Sequence, residues 1–545
     1  MFPSSNPLAR IARLVREERT EISSIYFYAI LNGLIQLSLP LGIQAIVGFV
    51  QGGAVSTSLI VLIVLIVAGV LCTGLLQTGQ MKFIERIQQK LFVRYAYAFA
   101  GHIPRLDLKS VDAYYLPELV NRFFEIPTLQ KSLSKLLLDF PSATIQILFG
   151  LVLLSLYHPV FIFLGLLLVG ILAVIFYFTG NRGLQSSLAE SSHKYAVAGW
   201  LEEVARVVKS FKFSVNTGLH LKKTDQKVIS YLSERKAHFS ILLFQYRALV
   251  ALKVLVTAAM LVVGSLLLLN QQINIGQFVA SEIIILLVIG SVEKLIVNLD
   301  SVYDIITSIE KINKLTEKPA ESEGKFLLPE GEGVRVDLKE VTFGYTEGAP
   351  VLRGVTIAVN KGEKVCITGT NGSGRSSLLK LLTGAYNNFS GSVLINEIPI
   401  GNYQLQALRA QTGLLLHQQD VFHGTLWENI SMGAEDIDKA YVLDLARQTG
   451  LLPFISSLKE GFDAELDPTG KRLPRNVVQK ILLVRALARK PQLLLLDEPG
   501  EGIEAQYQQQ IRNMLLHGME GVTLLVVTQD PEWIRQCHQV IRLSH

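Results

Sequence analysis

Six long apolar stretches before residue 300 constrain this chain more than any other feature. They run from Ile22 to Phe49, Ser56 to Leu76, Pro141 to Tyr157, Val160 to Thr179, Ala248 to Asn270 and Gly276 to Leu299. Each approaches the roughly 20 residues that a helix needs to cross the hydrocarbon of a bilayer. The third is interrupted by Ser142 and Gln146, and an earlier start near Leu136 is the alternative. Half of the 545 residues are hydrophobic and only 18% are charged, which is more apolar surface than one soluble core needs. A helical membrane part joined to a soluble part is therefore expected.

The loops set the expected orientation. Those at Gln51 to Thr57, at His158 and Pro159, and at Gln271 to Ile275 contain no lysine, arginine, aspartate or glutamate. All basic clusters fall on the other side, in the N-terminal arm and in two long connections, Gln77 to Asp139 and Gly180 to Arg247. By the positive-inside rule both termini are expected in the cytoplasm. The connections, about 60 residues each, are too long for turns. Runs such as Phe83 to Leu91 and Trp200 to Val208 have helical apolar spacing, so each connection is expected to be a helical hairpin. The expected tips are Tyr114 to Pro127 and Asn216 to Asp225, and an arm of ~30 residues would reach ~45 Å.

Few charges interrupt the spans. Lys253 and Glu293 sit at similar depth on spans five and six, where they would either pair or snorkel to the inner interface. Glu282 lies nearer the outer end without an evident partner and is a candidate for facing a water-filled path. The arginines at 10, 13, 16 and 19 precede no short apolar stretch with a small-residue cleavage site, so no cleaved signal peptide is expected. Cys72, Cys366 and Cys537 lack metal-ligand spacing and are expected to be reduced thiols. The net charge of +5 is small for this length and gives no reason to expect nucleic acid.

After Leu315 the composition changes to a charged run with proline and glycine, Glu317 to Lys325, which marks a boundary. Beyond it lies Gly369-Thr370-Asn371-Gly372-Ser373-Gly374-Arg375-Ser376-Ser377, between an apolar strand, Lys364 to Thr368, and a helix opening at Ser377. Strand, glycine loop and helix form the setting in which backbone N–H groups cradle phosphate oxygens. The pattern is that of a P-loop, except that Arg375 stands at the lysine position. A strongly apolar strand at Leu493 to Leu496 and a final strand at Thr523 to Val527 complete an expected parallel core sheet with flanking helices.

Together these features resemble an ATP-binding cassette (ABC) exporter half-transporter of the kind used for peptide and type I protein secretion. The resemblance runs from about residue 20 to the end, and Glu118 to Phe123 is similar to that family's short motif near its coupling helix. It implies an α-helical six-span ABC exporter membrane domain plus an α/β P-loop nucleotide-binding domain. The expected division is an N-terminal arm at 1–20, a transmembrane domain with two helical hairpins at 21–315, a linker at 316–333 and the nucleotide-binding domain at 334–545. It also implies ATP and Mg²⁺ as ligands and a homodimer or a heterodimer with a second half-transporter. Accessory secretion or periplasmic-adaptor subunits and a multi-pass location in the plasma (inner) membrane complete the picture. The stretch of about 20 residues before the first span has no room for an N-terminal peptidase domain, so this sequence is not expected to cleave leader peptides.

Carried over residue by residue, Tyr345 matches the aromatic that stacks on adenine, and Gly369 to Ser377 match the phosphate loop. Ser376 and Asp497 match the groups that hold Mg²⁺, and Glu498 matches the carboxylate that polarises the attacking water. Four positions depart. Arg375 keeps the charge of the missing lysine but as a planar fork. His417 falls where the family has a Mg²⁺-sensing glutamine, unless a one- or two-residue slip brings in Gln418 or Gln419. Leu473-Pro474-Arg475-Asn476-Val477 replaces the Leu-Ser-Gly-Gly-Gln signature, and Gln529 replaces the switch histidine. A further loop, Gly500 to Glu504, stands where the family has Ser-Ala-Leu-Asp. Because each site in this family pairs one P-loop with the partner's signature, neither a homodimer nor a heterodimer yields a standard site. Slow or absent hydrolysis is expected. Two readings stay open: an exporter that turns over slowly, and a non-hydrolysing scaffold, gate or docking subunit of a larger membrane assembly.

Overall fold

The computed structural model describes residues 15–53, 57–215, 217–417, 419–466 and 473–543. Arg10, Arg13, Ser56, Asn216 and Gln418 lie outside them. The chain divides into two compact units, one containing Tyr114–Lys318 with the residues up to Pro104, the other containing Arg105–Ala113 with Pro319–His545.

In the first unit six helical segments are long and apolar enough to cross a membrane: Arg19–Gln51, Thr57–Arg105, Leu116–Tyr157, Val160–Arg206, Leu219–Leu269 and Ile275–Thr316. Several helices continue far past their apolar part. Val160–Arg206 has 47 residues and Leu219–Leu269 has 51, about 70 Å at ~1.5 Å per residue against a hydrocarbon layer of ~30 Å. The third span extends back to a helix starting at Glu125, well before both of the expected starts. Span one breaks at Leu37, between helices Arg19–Gln36 and Ser38–Gln51. Pro40 explains the break, since its ring would clash with the carbonyl four residues earlier in a continuous helix.

The hairpin tips differ from expectation. Pro127 belongs to the first turn of the helix Glu125–Tyr157, where a missing N–H costs nothing. The turn region begins earlier, at the short helix Leu108–Val111, and runs through Leu116–Val120 and Asn121–Phe124, which lie inside the expected tip. In the second connection the helix resumes at Leu219, after Gly218 in a left-handed conformation (φ 68°), so Asp225 is helical rather than at the tip. Arg105–Ala113 is tied into the second unit by backbone bonds, Asp107 N–H to Pro319 O at 3.0 Å and Glu321 N–H to Arg105 O at 2.8 Å. The Tyr386 hydroxyl adds a bond to Asp112 Oδ1 at 3.1 Å.

Several polar residues within the spans find partners across helices. Lys253 Nζ pairs with Glu293 Oε2 at 2.8 Å, which decides between pairing and snorkelling. Gln146 bonds to Gln36 of span one and accepts from Ser291 of span six at 2.6 Å. The residue that seemed to interrupt span three therefore links three helices. Glu282 Oε1 is buried and has no hydrogen-bond partner among the described residues.

The second unit holds two main sheets. β1 (Val336–Phe343), β2 (Leu352–Val359), β4 (Phe389–Ile395) and β5 (Ile398–Pro399) form an antiparallel sheet in the order β2-β1-β4-β5. β3 (Lys364–Gly369), β6 (Thr412–Leu415), β9 (Leu493–Asp497), β10 (Thr523–Val527) and β11 (Gln539–Leu543) form a parallel sheet in the order β11-β3-β10-β9-β6. Short strands β7 (Gly424–Thr425) and β8 (Glu465–Leu466) pair separately. The edge strand β11 extends the sheet beyond the strand at Thr523 to Val527 that the sequence suggested as final. Successive residues of β9 and β10 serve opposite cores: Leu494, Leu496 and Val526 on one face, Leu493, Leu495, Leu525 and Val527 on the other. Burial on both faces explains why β9 is apolar at every position up to Asp497.

Close packing over β6 gives a direct test. A Cβ at Gly413 would lie 2.2 Å from the Ala486 carbonyl and 2.6 Å from Leu494 Cδ2. Gly413→Ala should destabilise the protein by about 1–3 kcal/mol, seen as a lower thermal midpoint in detergent. Gly401→Ala, which meets nothing within 4 Å, should leave the midpoint in place.

Candidate functional site

The C-terminal ends of β3, β9 and β10 converge on one cleft of about 720 Å³. It is lined by Tyr345, Asn371, Arg375, Ser376, Lys380, Leu416, His417, Asp497, Glu498, Glu501 and Gln529. Eight of the residues singled out from sequence, Tyr345, Asn371, Arg375, Ser376, His417, Asp497, Glu498 and Gln529, thus meet here from five separate segments, with Glu501 of the loop Gly500 to Glu504 beside them. Gly369, Thr370, Gly372, Ser373, Gly374 and Ser377 do not line it but build the loop beneath. The Thr370 carbonyl accepts from Ser373 N–H at 3.1 Å, and Gly374 opens the helix Arg375–Leu381 with φ 85°. A Cβ at Gly374 would also lie 2.5 Å from Leu352 Cδ2, so both conformation and space require glycine there.

Ser376 Oγ donates to Asp497 Oδ2 at 2.6 Å, joining the end of the loop to the end of β9. Arg375 Nη2 donates to Asn371 Oδ1 at 3.1 Å, while its Nη1 and the Ser373 hydroxyl are buried without partners among the described residues. Buried donors without partners at a glycine loop fit a phosphate, whose oxygens would satisfy them. Tyr345 is anchored by its hydroxyl to Ser377 Oγ at 2.9 Å and by an edge contact with Tyr386, ring centroids 5.5 Å apart. Lys380, one turn past Ser376 on the same helix face, places its ammonium 5.7 Å from the Tyr345 ring. That i, i+4 spacing was the signal that could have added Lys380 to the site. Gln529 Nε2 donates to the Gly369 carbonyl at 3.3 Å.

Glu498 has a positive φ of 46°, a strained value for a non-glycine residue. Burial pushes its carboxyl above the ordinary range, with Asp497 and Glu501 adding to the rise while Thr528 and Arg375 oppose it. Of the residues considered for the glutamine position, His417 lines the cleft. Gln419 turns its amide oxygen to Leu416 N–H at 3.1 Å, and Gln418 lies outside the described residues. Leu473 to Val477 lead into the helix Arg475–Leu487 and do not line the cleft.

Six apolar helical segments joined to a P-loop sheet whose strand ends converge on such a cleft define a membrane transporter with an attached nucleotide-binding cassette. Two family models agree: the ABC transporter transmembrane region matches residues 23–292 and the ABC transporter domain matches residues 352–501. The chain belongs to the ABC transporter family, as a half-transporter of the exporter type. It is 32% identical over 238 residues to an ATP-dependent lipid A-core flippase from Saccharophagus degradans, a match covering 44% of this chain and 40% of that protein. It is 33% identical over 230 residues to a probable multidrug resistance ABC transporter ATP-binding/permease protein, YheH, from Bacillus subtilis, covering 42% and 34%. The matches thus span less than half the length of these relatives. The fold is similar to that of a bacterial Atm1-family ABC exporter solved with ATP bound, with a TM-score of 0.84 and 17% identity over 96% of this chain and 93% of that one.

The Glu498 shift has a measurable sign. Burial holds its carboxyl above the ordinary carboxylate range, so the protonated form supports the fold at low pH and this support is lost as pH rises through the higher folded value. Glu498→Gln cannot ionise and keeps it. The variant's thermal midpoint should exceed that of the unaltered protein at pH 7.5, with the gap narrowing towards pH 5.

Proposed function

We propose that the protein is one subunit of a dimeric exporter that binds ATP and turns it over slowly or not at all. Its two termini face the cytoplasm, and it moves a peptide, protein or lipid-like substrate outward across the plasma (inner) membrane, with accessory or adaptor subunits as partners. The observation that carries this reading is the single cleft joining Tyr345, Asn371, Arg375, Ser376, Asp497, Glu498 and Gln529. Orientation rests on the uncharged short loops opposite the basic connections.

In this reading Tyr345 offers its ring to adenine, and the loop Gly369 to Ser377 offers its N–H groups, the Ser373 hydroxyl and Arg375 Nη1 to the phosphates. Ser376 and Asp497 would hold Mg²⁺, which supplies charge neutralisation at the transferred phosphoryl group. Glu498 would accept a hydrogen bond from water. Several parts of the machinery are weakened. The Gln529 amide cannot take a positive charge as a histidine can. Arg375 spends one arm on Asn371. The segment Leu473 to Val477 lacks the serine and glycines through which a backbone approaches a partner's phosphate closely. Each lost donor at a developing charge is worth about 10² to 10³ in rate.

The purified dimer in lipid is expected to hydrolyse MgATP below about 0.1 s⁻¹, against an enzyme median near ~10 s⁻¹. Arg375→Lys combined with Gln529→His should raise turnover at least about tenfold, and adding Glu498→Gln should remove the gain. Ordinary turnover in the unaltered protein, abolished by Glu498→Gln, would contradict the reading. The four departures at Arg375, His417, Leu473 to Val477 and Gln529 also favour a second reading, a scaffold, gate or docking subunit. Its mark would be substrate export that persists when a variant such as Gly374→Val no longer binds ATP.

A further inference from the structure

One cation of the cleft lies beside an aromatic ring. The helix Arg375–Leu381 begins at the glycine loop, with Ser376 turned to Asp497, and carries Lys380 one turn further, about 6 Å along its axis. The Lys380 ammonium sits over the Tyr345 ring, 5.7 Å from its centroid, and both residues line the cleft. Three contacts fix that ring. Its hydroxyl meets Ser377 Oγ at 2.9 Å, and edge contacts hold it against Phe343 and Tyr386, with centroids 5.0 and 5.5 Å away at interplanar angles of 75° and 85°. Phe343 and Tyr386 are buried, while Tyr345 keeps 36% of its surface open. The ring is therefore held, and the lysine, with three donors on a flexible four-carbon stem, can adjust to what lies on it.

This placement bears on which base the cleft accepts. A base stacked on Tyr345 at about 3.5–4 Å covers the face over which the ammonium sits, and the ammonium is left at the base's edge. Purine edges differ. Guanine presents two adjacent acceptors, O6 and N7, whereas adenine presents N7 beside an amino donor at N6. An ammonium has donors alone, so it fits the first pair and is opposed by the second. We infer that Lys380 reads the base edge, so that the cleft takes 6-oxopurine nucleoside triphosphates, GTP among them, more tightly than ATP. ATP remains a ligand, held more weakly. Lys380 also stands in the last turn of its helix, where a cation meets the negative end of the helix dipole. That role alone would treat all purines alike. The selectivity rests on the proposal that nucleotide occupies the cleft with its base on Tyr345.

Inosine triphosphate isolates the edge, since it carries the O6 and N7 of guanine without the 2-amino group. Equilibrium binding of MgATP, MgGTP and MgITP is measured on the full chain in detergent, for the unaltered protein and for Lys380→Met, which keeps a long side chain and removes the charge. In the unaltered protein MgGTP and MgITP should each bind at least about fivefold tighter than MgATP, the lower end for a lysine on this acceptor pair. Lys380→Met should cancel the difference. No preference, MgITP binding like MgATP, a preference that survives in Lys380→Met, or an equal weakening of all three by that variant overturns the base reading while leaving nucleotide binding intact. Should the variant fail to fold, the three-way comparison in the unaltered protein still decides. Failure of the unaltered protein to bind any of the three overturns the occupancy of the cleft, and the selectivity with it.

Discussion

The hydrogen bond from Ser376 to Asp497 is the point on which the site depends. It closes across β10, which lies between β3 and β9 in the sheet. The parallel register sets Ile367 and Asp497 level with Val527 on either side. All three strands therefore end at one edge, and whatever follows them is delivered together: the glycine loop after β3, Glu498 after β9 and Gln529 after β10. Crevices beyond the carboxyl ends of parallel strands are where such sheets bind ligands. The buried cores on either face hold that edge in place.

The electrostatics of the cleft follow from this convergence. Asp497, Glu498 and Glu501 arrive from one strand end, while Arg375, Lys380 and His417 arrive from others. Glu498 pays for its place twice, in burial that raises its carboxyl and in a left-handed backbone. Such strain survives only where the surroundings over-determine it. Here the Glu498 N–H is bound to the Val527 carbonyl at 2.9 Å and its own carbonyl to Gln479 Nε2 at 3.2 Å.

What was legible in the sequence was what is local. Glycine spacing in Gly369 to Gly374, the unbroken apolar run of β9 and the six apolar segments each carry their meaning within a few turns of chain, and the fold places them accordingly. What escaped was set by distant partners. Pro127 looked like a turn residue because nothing nearby says that it opens a helix. Arg105–Ala113 joins the second unit through bonds to Pro319, Glu321 and Tyr386, far away in sequence. Edge strand β11 has an ordinary alternation that only pairing with β3 reveals. The contact of Arg475 with His417 spans 58 residues and no spacing rule announces it.

The central claim is that this family member holds nucleotide without efficiently splitting it. Its most direct test is the identity of the nucleotide retained by the purified dimer after several minutes with MgATP, separated from free ligand and analysed by chromatography. Intact ATP bound in near-stoichiometric amount is the predicted result. Bound ADP, or an empty protein, would contradict it.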